Sequence, residues 1–157
     1  MSDSIRLWVE TSHQSALRCG GWAFVRADRG GLAGKAGGER NVSLAATTRD
    51  GLVQALSGLP AGAQIRLASA SPLILRAPAL TAGPPDQLPP DEAAIWASLR
   101  PVLAAYAITL EAAAATPRTP TAFTAAWAEQ GRDKARARGA FAAVIPRSNL
   151  ASAGVRT

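Results

Sequence analysis

The order in which apolar periodicities follow one another narrows the fold of this chain more than any other feature of it. Residues 5–10 alternate Ile5, Leu7 and Val9 with Arg6, Trp8 and Glu10, the period of a β-strand. Trp8 breaks the polar half of that alternation, so this strand is expected to lie inside a sheet with helices on its second face. Residues 20–27 read as a second strand. Asp28-Arg29-Gly30-Gly31 reads as a hairpin turn, with glycines for positive φ. Residues 32–44 read weakly as a third strand, interrupted by Gly37-Gly38. The period then changes. Leu52, Leu56 and Leu59 stand at i, i+4 and i+7, a helical stripe, with Thr47 or Thr48 as its N-cap and Gly58 and Pro60 ending it. Residues 64–70 return to a strand. A helix between them makes the flanking strands parallel neighbours. A three-strand meander, a crossover helix and a parallel strand predict an α/β fold around a mixed sheet.

The second half of the chain is proline-punctuated. Ser71-Pro72 starts a short helical turn through Arg76, and residues 77–90 read as a loop with five prolines. Asp91 caps a helix to about Ala105, with Ile95, Leu99 and Val102 on one face, Trp96 toward the core and a kink expected at Pro101. Residues 106–112 are a fifth strand. The last helix covers 121–138, with Phe123, Trp127 and Ala135 or Ala137 inward. This gives one domain over 1–138 and a basic C-terminal tail over 139–157, in which 141–150 form an apolar patch.

Net charge is +6, and most of the excess falls late. After residue 113 come Arg118, Arg132, Lys134, Arg136, Arg138, Arg147 and Arg156, against Glu129 and Asp133 alone. A basic pole points to a polyanion, most simply nucleic acid. Arg132 and Arg136 lie four apart, as do Lys134 and Arg138, so each pair shares a helix face and meets successive phosphates. With Arg147 they form the expected nucleic-acid-binding set. Two plainer readings stand beside it: cations favour a helix C-terminus, and arginine-rich, alanine-rich composition also follows from a GC-rich coding sequence. One cysteine, Cys19, and one histidine, His13, exclude an internal disulfide and the usual zinc sites. No segment has the length and apolarity of a membrane span or the pattern of a secretion signal, so a cytoplasmic location is expected.

Four segments carry a resemblance to a known family. They are the opening Ile5-Arg-Leu-Trp-Val-Glu10 with Thr11-Ser12, the Gly20-Gly21-Trp22-Ala23-Phe24-Val25 strand, Thr47-Thr48-Arg49-Asp50-Gly51-Leu52, and Ile65-Arg66-Leu67-Ala68-Ser69-Ala70-Ser71. Together they resemble type 1 ribonuclease H, over most of the chain to about Arg138. The resemblance implies a five-stranded mixed sheet flanked by helices. It also implies a nuclease site in which acids hold two divalent ions that clamp the attacking water and the leaving oxygen. Carried over position by position, the first acid is Glu10. The second falls on Gly51 and the third on Ala70, neither with a carboxylate, and the best candidate for the fourth is Asp133. Glu10 and Asp133 are thus the expected vestigial catalytic and metal-ligating residues. The basic handle and the histidine loop of the family are also missing. The expectation is a catalytically degenerate module that binds nucleic acid, an RNA–DNA hybrid being the natural ligand, with no cofactor. The alternatives are a weak Mg²⁺- or Mn²⁺-dependent hybrid endonuclease using Glu10 and Asp133, and a protein-interaction module that docks a partner on the apolar patch of the tail.

Overall fold

The computed structural model describes residues 4–156. Strands β1 (Ile5–Gln14), β2 (Cys19–Asp28) and β3 (Gly31–Arg40) form an antiparallel meander. Helix α1 (Leu44–Leu56) crosses to β4 (Gln64–Ser69), which pairs parallel with β1. Helices α2 (Pro72–Ala82) and α3 (Pro90–Ala104) then lead to β5 (Ala107–Ala112), parallel to β4. Helix α4 (Pro120–Arg138) is followed by β6 (Phe141–Val144) and the short α5 (Arg147–Leu150). The sheet order is β5-β4-β1-β2-β3-β6. Among the described residues no helix is long and apolar enough to cross a membrane.

The expected mixed sheet is present, but it has six strands rather than five. The sixth comes from the segment expected to be a tail. Residues 141–144 pair antiparallel with β3, from Gly38 opposite Phe141 to Lys35 opposite Val144, and Ile145 and Leu150 are buried. The segment past 138 therefore shares the sheet and core of the rest.

Strand alternation splits the core into two layers. Leu7, Val9, Trp22, Phe24, Ile65 and Leu67 face α1, α2 and α3, with Trp96 and Leu99 of α3 opposite them. Ala23, Val25 and Ala36 face α4, joined by Ala128, Ile145 and Leu150. Trp8 packs on this second layer, as its place in an interior strand predicts.

The start of α1 and the end of α2 differ from expectation, and α3 begins at Pro90 with Asp91 inside its first turn rather than as its cap. The cap of α1 is Ser43, whose hydroxyl accepts from the Ala46 amide at 3.1 Å. Thr47 and Thr48 lie inside the helix, buried, and donate to the carbonyls of Ser43 and Leu44 four residues back. Ser71 caps α2 in the same way, and the helix runs through Pro78 to Ala82, turning half of the expected loop into structure.

Gly37-Gly38 does not interrupt β3; it seats α4. A Cβ on Gly131 of the helix would lie 2.3 Å from the Gly37 carbonyl oxygen, and one on Gly21 of β2 would lie 2.1 Å from the Ala128 carbonyl oxygen. A Cβ on Gly38 would meet the Gly131 carbonyl oxygen at 2.5 Å. The helix backbone thus rests directly on the sheet backbone, where any side chain would hold it off.

Candidate functional site

Glu10 sits mid-strand on β1, opposite Ala23 of the α4 layer, and is buried. Its Oε2 accepts two hydrogen bonds from the end of β4, from the Ser69 hydroxyl at 3.0 Å and the Ala70 amide at 2.8 Å. The Ser71 amide donates to Ser69 Oγ at 3.0 Å, which fixes that hydroxyl. Burial raises the Glu10 carboxyl from 4.5 to about 7, and the Ala70 and Ser69 bonds only partly oppose it.

The other three carried-over positions do not complete a site around it. Gly51 lies on the α1 side of the sheet. A Cβ there would sit 3.0 Å from the Trp22 Cβ and 3.7 Å from both Thr11 and Val9. Val9 and Thr11 flank Glu10, so alternation turns Glu10 to the opposite face. Ala70 contributes only its amide. The side chain of Asp133 is 55% exposed and accepts from Arg132 Nε at 3.0 Å. Among the described residues no group of three or more His, Cys, Asp or Glu side chains is placed to hold a metal ion.

The cations separate into two groups. Arg132 is not open to solvent as a phosphate contact would be. Its side chain is 15% exposed, donates to Ser12 Oγ of β1 at 2.7 Å, and pairs with Asp133 and Glu129. It ties α4 to β1. Lys134 stands over the Phe141 ring at 5.2 Å. Arg136 and Arg138, in the last turn of α4, are exposed and have no ion pair among the described residues, and Arg147 is exposed at the start of α5. Sequence reasoning missed Arg40. Its Nε donates to the carbonyls of Ala135 and Arg136, each at 3.1 Å, so a strand arginine caps the helix C-terminus. Arg40 pairs with Cys19 at the start of β2. The contact from Arg40 to α4 spans 95 residues, and nothing local in the sequence signals it. Glu39, the nearest acid along β3, pairs with Gly20, which abuts Thr47 of α1, so it lies on the other face of the sheet.

No family model and no curated protein matches the sequence. Solved structures do match. The N-terminal RNase H domain of a Mycobacterium tuberculosis protein, solved as a fusion with maltose-binding protein, superposes with a TM-score of 0.64 at 16% identity, over 87% of this chain and 98% of that one. An RNase H1 called LC11, solved in complex with an RNA/DNA hybrid, gives 0.64 at 15% identity, over 83% and 98%. RNase H1 from the halophilic archaeon Halobacterium salinarum gives 0.55 at 16% identity, over 83% and 98%. At these identities the likeness is one of fold, and the fold of this chain is that of ribonuclease H.

Proposed function

We propose that this chain is a non-catalytic ribonuclease H-like module that binds nucleic acid through its phosphates, at the corner where α4 ends. The observation that carries this reading is the meeting of Arg40 with Arg136 and Arg138 around one helix terminus, with Arg136 and Arg138 exposed and, among the described residues, without a carboxylate partner. Guanidinium groups match phosphate geometry in a bidentate fashion, and such contacts position a strand without reading its sequence. That an RNase H1 of the same fold is solved with an RNA/DNA hybrid supports the ligand class.

Residues do not fit a pair of magnesium or manganese ions at the strand end. Hard divalent ions require several oxygen donors, chiefly carboxylates. Glu10 supplies one carboxylate, already half committed to Ser69 and Ala70, and burial favours its neutral form. Gly51 and Ala70 supply none, and Asp133 is held by Arg132. Asp50, the acid of α1, is paired with its neighbour Arg49 at 3.2 Å.

Fluorescence anisotropy of a labelled RNA–DNA hybrid across a salt series tests the reading. Affinity should fall linearly with salt on logarithmic axes, and the double variant Arg136→Gln/Arg138→Gln should flatten the slope by about 2. Equal slopes for parent and variant would remove the assignment of this corner. Hybrid cleavage in Mn²⁺ that disappears with Glu10→Gln would replace the reading with a nuclease.

A further inference from the structure

Beside the basic corner, between α4 and the edge strand β6, runs a groove of about 270 Å³. Its floor is made of small residues, Ala36 and Gly131, and the partly exposed rings of Trp127 and Phe141 line it. Gln130 and Lys134 complete the helix side. Trp127, Gln130, Lys134 and Arg138 follow one another at intervals of three and four, so they form a single stripe down α4. Read along the helix, that stripe presents an aromatic face, an amide, an ammonium and a guanidinium. The acids of α4, Glu129 and Asp133, are engaged with Arg132 on the neighbouring stripe, and among the described residues the groove itself is lined by one cation, Lys134, and no acid. Phe123 backs Trp127 at 6.1 Å between ring centroids, tilted by 44°, and holds the indole in place.

We infer that this groove takes one unpaired nucleotide of a single-stranded stretch, its base stacked against Trp127 and its phosphate held by Arg138 and by Lys134, which stands over the Phe141 ring. The inference rests on the phosphate-contact reading above and adds the state of the strand. A paired base is already stacked within its helix, so a duplex presents only phosphates to this surface. An unpaired base has both faces free and stacks on any aromatic side chain regardless of sequence. The Gln130 amide carries both a donor and an acceptor for a base edge. The small floor lets a planar ring approach the sheet, where a bulkier residue at Ala36 would fill the space.

The test compares three labelled probes on the full chain at one salt concentration: a short oligothymidylate, the same strand with abasic sites, and a duplex of equal length. The base-bearing strand should bind about tenfold more tightly than the abasic one. Trp127→Leu should remove that advantage while leaving abasic and duplex binding unchanged. Equal binding of the abasic and base-bearing strands overturns the inference without any variant, and leaves the phosphate-contact reading standing. Failure of all three probes to bind removes both. Should Trp127→Leu convert a dimer to a monomer in sedimentation while strand affinity is unaltered, the groove is covered by a second copy and the inference falls.

Discussion

At the scale of single residues, Glu10 decides more than any other side chain. The sequence offers it as a metal ligand or a solvated strand end, and the fold takes it out of solvent. It is a buried carboxyl bonded to Ser69 and Ala70, some sixty positions along the chain, so its surroundings have no local signature. Because its pKa in the fold, about 7, lies above its ordinary value of 4.5, the native state binds more protons than the unfolded state between those limits. The group's contribution to stability is therefore complete below pH 4.5 and is lost as pH rises through 7, a change of about 3 kcal/mol. Glutamine mimics the neutral form, and one carbonyl oxygen suffices because both bonds converge on Oε2. Glu10→Gln is expected to unfold at higher urea than the parent at pH 8.5 and at similar urea at pH 4. Parallel pH profiles for the two proteins would contradict this. Restoring an acid at Gly51 is expected to do harm, since any Cβ there meets the Trp22 Cβ at 3.0 Å. Gly51→Glu should cost about 2 kcal/mol in a denaturant titration.

At the scale of elements, the contact between α4 and the meander is set by glycines. In an exposed helix interior, glycine to alanine stabilises by about 1 kcal/mol. Gly131→Ala is expected to reverse that sign and cost about 2 kcal/mol or more, because the added methyl would press on the Gly37 carbonyl. Thermal melts of the parent and variant check the sign directly. The sequence suggests an interruption at Gly37-Gly38 because glycine weakens an isolated strand. What it hides is the partner: a strand glycine acquires its purpose only when a helix from ninety residues later lies across it. The start of α1 is hidden for a related reason. Ser43 and Thr47 are both good caps by residue type, and only the tertiary position of α1 chooses between them. The stripes of Leu52 and Leu56, and of Leu99 with Trp96, were legible because periodicity survives any choice of cap.

At the scale of the whole molecule, the meander, the crossover and the two-faced sheet were readable from alternating patterns and element order. The sixth strand was not. Phe141 to Val144 is too short to show a period, and its pairing with β3 lies more than a hundred residues away in sequence. Truncation after Gly139 removes that ladder together with the buried Ile145 and Leu150. It is expected to lower the urea midpoint and broaden the transition, where loss of a mere appendage would leave both unchanged. The basic corner was half legible: α4 supplied Arg136 and Arg138 in plain view, whereas Arg40 joined them only through folding. The distant closure of β6 has a kinetic corollary. Until residue 144 is available, the outer backbone groups of β3 that β6 pairs have no mate, so this edge stays open until then. Loop-closure entropy makes such non-local pairings slow to form. Refolding is accordingly expected to end with the docking of this last strand, leaving the nascent polypeptide sticky along one margin for longer than its size alone would suggest.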